Sequence, residues 1–195
     1  MGAARLIVGI TGASGAIYGQ TALKALRLTA VETHLVISRS AQITIAHELK
    51  IRIPELSALA DVVHRVDDIG AAISSGSFTT MGMLVAPCSI RTLAEIASGV
   101  TSSLLTRAAD VVLKERRRLV LMVRETPFHL GHLRSMTQVT EMGAIVMPPV
   151  PAFYGCPVTI EDIVNHSVGR ALDLFGLNNE LTPRWGETIG IGSSR

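Results

Sequence analysis

Six residues, Thr11-Gly12-Ala13-Ser14-Gly15-Ala16, separate the apolar run Leu6-Ile7-Val8-Gly9-Ile10 from a segment with helical periodicity. Small residues in such a turn let backbone approach a ligand, and free amides at a helix start favour an anion. The turn therefore suits a phosphorylated molecule. Gly9, Gly12 and Gly15 also fit the GxxGxxG spacing of short-chain dehydrogenases. Such an enzyme needs a Tyr-x-x-x-Lys pair, but Ala22 stands four residues after Tyr18 and Val158 four after Tyr154. Ser38-Arg39 supplies no acidic residue for a nicotinamide ribose. No P-loop lysine is present, and Gly12-Ala13-Ser14-Gly15 brings its second glycine one residue too early for a nucleophile elbow.

The elements that must hold this turn alternate. Strand patterns lie at Leu6 to Ile10, Val31 to Ile37, Met83 to Ala86, Leu119 to Val123 and Ala144 to Met147, several apolar throughout, as strands buried on both faces are. Helical patterns run at Ile17 to Leu28, Ala41 to Leu49, Arg91 to Ala97, Ser102 to Arg117, His132 to Met142 and Ile160 to Phe175. The alternation predicts an α/β protein in three layers, a parallel sheet with helices on both faces. Residues 51 to 73 carry no assignable pattern, Ser74-Ser75-Gly76-Ser77 reads as a mobile loop, and disorder is expected after Gly186.

Ligands of an open parallel sheet bind beyond the C-terminal ends of its strands. There the sequence places Thr11 and Ser14, Ser38, the run Pro87-Cys88-Ser89-Ile90-Arg91-Thr92, Arg124-Glu125, and a Pro-rich loop reaching Phe153-Tyr154. Hydroxyls and helix-start amides suit one phosphate, and the arginine, tyrosine and carboxylate suggest a second polar ligand. Each also has a plainer reading: Ser38 and Ser89 as N-caps, Arg124 as a surface ion pair.

Composition narrows the class. The chain has 195 residues, 48% hydrophobic, enough for one domain with a sizeable core. Eighteen Lys and Arg against 16 Asp and Glu give a net charge of +2, which does not suggest a nucleic-acid binder. The basic run Lys114-Glu115-Arg116-Arg117-Arg118 reads as complementing a helix C-terminus. Cys88 and Cys156 have no CxxC or zinc spacing, so neither a disulfide framework nor a metal is expected, and a cytoplasmic setting fits. Cys88 reads as a packing residue rather than a nucleophile. His129 and His132 lie three apart with no third ligand. No secretory, myristoylation or membrane-spanning signal is read.

Thr11-Gly12-Ala13-Ser14-Gly15-Ala16, Pro87-Cys88-Ser89-x-x-Thr92-Leu93, Arg107-Ala108-Ala109-Asp110-Val111 running into Leu113-Lys114-Glu115-Arg116-Arg117, Arg124-Glu125-x-Pro127, Phe153-Tyr154 and Pro183-Arg184-Trp185 together resemble the flavin prenyltransferase (UbiX) family, including the B subunits of phenolic-acid decarboxylases. The resemblance covers nearly the whole chain. It implies a flavodoxin-like Rossmann fold that binds FMN and joins the dimethylallyl group of dimethylallyl phosphate to reduced FMN, making prenylated FMN for UbiD-type decarboxylases. It further implies that Gly12, Ala13, Ser14, Ser38, Ser89, Ile90, Arg91, Thr92 and Arg124 contact FMN. Tyr154 and Arg170 would hold the donor phosphate, with Lys114 and Glu125 close by and Glu48 near the flavin ring. Dodecamers with sites at subunit junctions are implied too, so Lys114 and Glu125 need not share a subunit with the turn.

The chemistry is consistent with those assignments. Breaking an allylic carbon to phosphate bond needs no metal where Arg, Lys and Tyr stabilise the departing charge. Trp185 offers a π face in a dry pocket, and Glu48 or a phosphate oxygen is a candidate base for the proton lost from flavin C6. On the helix from Ser102 to Arg117, Arg107 and Lys114 are seven apart with Asp110 between them, a stripe that would steady a lysine beside phosphate. By spacing alone that stripe is a surface ion-pair ladder, Arg170 a snorkelling residue, Trp185 a tail anchor and Glu48 an exposed helix charge. The chain departs from many relatives at Arg134-Ser135 and at Gly155-Cys156-Pro157 after Tyr154. Two other readings remain: an FMN-dependent cysteine decarboxylase, and a non-catalytic FMN-binding subunit of an aromatic-acid decarboxylase. Donor preference between monophosphate and diphosphate stays open.

Overall fold

A computed structural model describes residues 4–186. The expected tail after Gly186 lies outside the described residues. Six strands, β1 (Arg5–Ile10), β2 (Glu32–Ile37), β3 (Val62–His64), β4 (Gly82–Cys88), β5 (Arg118–Val123) and β6 (Ile145–Val146), form one sheet in the order β3-β2-β1-β4-β5-β6, with every pairing parallel. Without the short edge strand β3 the order is the flavodoxin pattern, and the order reverses between β1 and β4. β1, β2, β4 and β5 are buried over nearly all their length, which explains their unbroken apolar runs.

The helices are α1 (Ala16–Leu26), α2 (Arg39–Glu48), α3 (Ile53–Ser57), α4 (Ile90–Ala97), α5 (Leu104–Lys114), α6 (Leu130–Glu141) and α7 (Ile160–Asp173). Two cores lie on opposite sheet faces. One packs Leu23, Ala41, Ile45, Leu56 and Val168 of α1, α2, α3 and α7 against Leu6, Val8, Leu35 and Leu84. The other packs Leu93, Leu105, Val112 and Val139 of α4, α5 and α6 against Ile7, Met83 and Leu121. The buried residues of α1 (Ala16, Gly19, Ala22, Leu23, Leu26) make the stripe its spacing demands. Gly19 is required within it, because a Cβ there would stand 2.5 Å from the Ala86 carbonyl oxygen.

Residues 51 to 73 fold into α3, β3 and a 3-10 turn at Ala72–Ser74, pieces of five residues or fewer. The loop expected to be mobile is instead gripped. Arg117 donates to the carbonyls of Phe78 at 2.8 Å and Gly76 at 2.7 Å, and Arg107 to that of Ser74 at 3.3 Å. The basic run is divided accordingly: Lys114 sits on the last turn of α5, Arg116 leaves the helix at φ 55°, Arg117 holds the loop and Arg118 opens β5. Among the described residues no helix is long and apolar enough to cross a membrane.

Candidate functional site

The parallel register brings the ends of β1, β2 and β4 to one edge. Thr11 fastens the switch point there. Its hydroxyl donates to the Pro87 carbonyl at 2.7 Å and accepts from the Ser89 amide at 2.7 Å. Fully buried and committed to those partners, Thr11 is a strut and not the exposed ligand group that its position in sequence suggests.

Beside this strut three helices begin around one cavity of about 300 Å³. Ser38 caps α2, Ser89 caps α4 and Ser103 caps α5, each hydroxyl accepting a backbone amide from the first turn at 3.2 to 3.3 Å. All three serines line the cavity, with Ser40, Ser102, Thr92 and the guanidinium-bearing Arg39 and Arg91. Each helix start leaves amides without intrahelical acceptors and carries partial positive charge. Three of them around one hollow favour an anion, although the carboxylates Asp67 and Glu95 also line it and Arg91 is paired with Glu95. Sequence reasoning found Ser38, Ser89, Arg91 and Thr92 but missed Arg39, Ser40, Ser102 and Ser103, although Ser103-x-x-Thr106 is a legible capping box. The donor set fits a flavin mononucleotide phosphate, with Gly12 and the nearly buried Ala13 allowing close backbone approach nearby.

The first turn itself differs from expectation. Its helix-start amides already hold an anion, the Glu48 carboxylate, whose Oε2 accepts from Gly15 at 2.8 Å and Ala16 at 2.9 Å. Gly15 turns the chain at φ 105°, with Tyr18 so near that a Cβ on Gly15 would lie 2.9 Å from its ring. Burial is the largest influence on Glu48 and raises its carboxyl value. The Ser14 hydroxyl, the two amides and the Arg124 charge outweigh it and hold Glu48 below the ordinary glutamate range. Arg124 also neighbours Tyr18, whose hydroxyl is raised chiefly by burial and lowered by that charge. Glu48, Ser14, Tyr18 and Arg124 thus form one polar group, and Tyr18 is its member that sequence reasoning assigned no role. Glu125, next in the chain, accepts from the Thr126 amide at 2.9 Å.

A second group gathers on α7. Tyr154 Oη lies 2.9 Å from His166 Nε2, and Trp185 stands edge-on to the Tyr154 ring at 5.6 Å. Arg170, one turn beyond His166, donates to Asp173 at 2.9 Å, and Arg184 binds the same carboxylate at 2.6 and 2.8 Å. Tyr154, Arg170 and Trp185 therefore come together, and His166, the link among them, was missed. Among the described residues no hydrogen bond or ion pair joins Tyr154, His166 or Arg170 to Glu48 or Arg124.

Lys114 departs from the anticipated stripe. Arg107 does pair with Asp110, at 2.6 Å, but Lys114 pairs with Glu115 beside Gly76. The 11 residues of α5 span about 16 Å, so Lys114 stands at the sheet edge opposite the cavity where α5 begins. Cys88 is fully buried, and burial pushes its thiol up to about 12, which removes it as a nucleophile.

A family model described as Flavoprotein matches residues 1–172. The flavin prenyltransferase UbiX of Neisseria meningitidis serogroup B is 60% identical over 181 residues, 93% of this chain and 96% of that protein. That of Thauera aromatica is 57% identical over 181 residues, 93% of each. Among solved structures, AnUbiX (PadA1) in complex with FMN and dimethylallyl pyrophosphate superposes with a TM-score of 0.93 at 51% identity, covering 95% of this chain and 98% of that one. A dodecameric FMN-dependent Ubix-like decarboxylase from Escherichia coli O157:H7 gives 0.91 at 51%, covering 93% and 98%. The FMN-dependent cysteine decarboxylase TvaF, at 18% identity and a TM-score of 0.61 over 74% of this chain, shares the fold alone. On sequence and fold, the chain belongs to the flavin prenyltransferase (UbiX) family of flavoproteins.

Proposed function

We propose that this chain, as one flavoprotein domain, is a flavin prenyltransferase that joins the dimethylallyl group of dimethylallyl phosphate to N5 and C6 of reduced FMN. The product, prenylated FMN, would serve a UbiD-type decarboxylase in the cytoplasm. The observation that carries this reading is the convergence of the α2, α4 and α5 starts, capped by Ser38, Ser89 and Ser103, on one hydroxyl-lined cavity.

In that cavity Ser38, Ser89, Arg91 and Thr92 would hold the FMN phosphate, with Gly12, Ala13, Ser14, Ile90 and Arg124 along the rest of the molecule. The bound reduced flavin supplies the nucleophilic nitrogen and the ring carbon that take the prenyl group. Arg124 and the ionised Glu48 offer charge of both signs next to Ser14, and Glu48 is a candidate acceptor for the ring proton. Tyr154 and Arg170 would bind the donor phosphate, and Trp185, edge-on to Tyr154, would give the allyl group a π face.

Lys114 lies on the far edge from the cavity of its own chain, and the Arg107 side chain, in the first turn of α5, does not line that cavity but engages Ser74 and Asp110, so their part in the reaction would be played toward a neighbouring copy. Glu125 at the strand edge would join such a junction. A dodecamer like that of the Escherichia coli relative would supply it. The large apolar side chains left exposed at Phe128, Leu130, Leu133 and Phe153 are consistent with subunit burial.

The experiment is anaerobic incubation of the protein with reduced FMN and dimethylallyl phosphate, and in parallel the diphosphate, followed by mass spectrometry of the extracted flavin. Flavin heavier by one five-carbon prenyl unit supports the reading. Unmodified flavin from both donors, with the protein folded and flavin-loaded, overturns it.

A further inference from the structure

His166 has no role in the scheme above, yet it is the hydrogen-bond partner of the proposed donor-binding tyrosine. Its Nε2 lies 2.9 Å from Tyr154 Oη, with the two rings edge to face at 5.5 Å. It stands one helical turn before Arg170, so both side chains project from one face of α7. His166 also lines a cavity of about 430 Å³ whose wall includes Asp162, Glu180 and Cys156, giving the ring a path to water.

The proposed reaction has a proton requirement on this side. The bond that breaks joins the allylic carbon to the bridging oxygen, and the electron pair leaves with the oxygen. A dianionic monoester would depart as a trianion unless a proton reaches it. Guanidinium groups neutralise charge but do not give up protons in proteins. The tyrosine and histidine can.

Resting on the donor site proposed above, we propose that His166 is the proton-supplying residue behind Tyr154. As the carbon–oxygen bond breaks, Tyr154 passes its hydroxyl proton to the leaving oxygen and takes one from Nε2 of the protonated His166, leaving a neutral imidazole with its proton on Nδ1. That ring regains the Nε2 proton from solvent water of the cavity before the next turnover. The products are inorganic phosphate bearing that proton and the prenylated flavin.

The charged surroundings set the direction of pH dependence. Burial, and after it the Arg170 charge, hold the imidazole below its ordinary value, while Asp173 pulls it upward. Arg184 is bound to Asp173, and the Asp162 carboxylate is occupied by the Val158 and Thr159 amides, leaving Glu180 as the other acid lining the same cavity. A phosphate dianion arriving at Arg170 and Tyr154 favours the protonated ring. The supply is lost as pH rises through the value His166 has in the complex.

The test is H166Q, which keeps an N–H for Tyr154 but carries no titrating proton. Donor KM is expected to stay near the wild-type value while kcat falls about a hundredfold, and a basic limb in the kcat profile is expected in wild type and absent in H166Q. A second readout needs no turnover: in wild type, the His166 imidazole titration followed by NMR moves upward on addition of inorganic phosphate. Wild-type kcat and pH profile in H166Q, or an unmoved titration, overturns the relay while Y154F and R170Q still raise donor KM. If Y154F and R170Q leave donor KM unchanged, the donor phosphate binds elsewhere, and both the donor-site reading and the relay fall.

Discussion

Glu48, the last residue of α2, closes the start of α1: its Oε2 accepts from the Gly15 and Ala16 amides at 2.8 and 2.9 Å. A side chain 32 residues away in sequence does what a phosphate does in many nucleotide-binding turns. That leaves the three helix starts around Ser38, Ser89 and Ser103 as the place proposed for the ligand's phosphate.

This closure predicts a stability effect with a defined pH window. The folded carboxyl lies below its ordinary value, so its contribution is present above about pH 4.5 and is lost as pH falls through the folded value. E48Q is expected to lose roughly 1 kcal/mol at neutral pH, a charged group at a helix start being worth about that much. Urea titrations of both proteins should show the difference shrinking on acidification below pH 4.5.

Arg117 is a loop clamp, with its side chain only 16% exposed and both guanidinium nitrogens on carbonyls of the loop before β4. R117A should cost about 1.5–3 kcal/mol, the usual worth of hydrogen bonds from a charged group. Hydrogen exchange should accelerate at residues 75 to 80 and stay near wild type in α1, which packs on the opposite sheet face.

The two thiols should separate cleanly. Cys88 is buried with its thiol pushed up to about 12, whereas Cys156 is exposed. A thiol reagent at pH 8 is expected to label one cysteine per native chain and both in guanidinium, with peptide mapping locating the native label at Cys156. Rapid native labelling of Cys88 would contradict the packing of β4.

Asp173 gathers Arg170, Arg184 and Asn179 on one carboxylate. Burial is the largest influence and raises its value, but the two arginines outweigh it and the group is held below the ordinary range. D173N leaves those donors without their charge partner and should lower stability by about 2 kcal/mol, or roughly 4–8 °C in Tm for a chain of this size. The deficit is present at neutral pH and disappears as acid protonates the wild-type carboxylate. Because Arg170 loses its anchor, donor KM should rise in the same variant, measurable alongside the thermal melt.

The sequence by itself determined the sheet and most helices, because a strand buried on both faces must be continuously apolar and a helix packed on one side must repeat its apolar residues every three to four positions. It also placed Ser38 and Ser89 at the strand ends where a ligand is expected, with N-caps as their plainer reading, and its motifs carried the family resemblance; the structure gives both the cap role. It was silent over residues 51 to 73, whose elements are too short to show a period. Tertiary structure alone decided that Ser103 joins Ser38 and Ser89 around one cavity, that Glu48 occupies the first turn, that Thr11 is spent as a strut, that His166 stands behind Tyr154 and that Lys114 faces away. Those relationships depend on strand register and on the path of each helix across the sheet. Local sequence patterns report burial and periodicity along the chain but leave the meeting of distant side chains to packing.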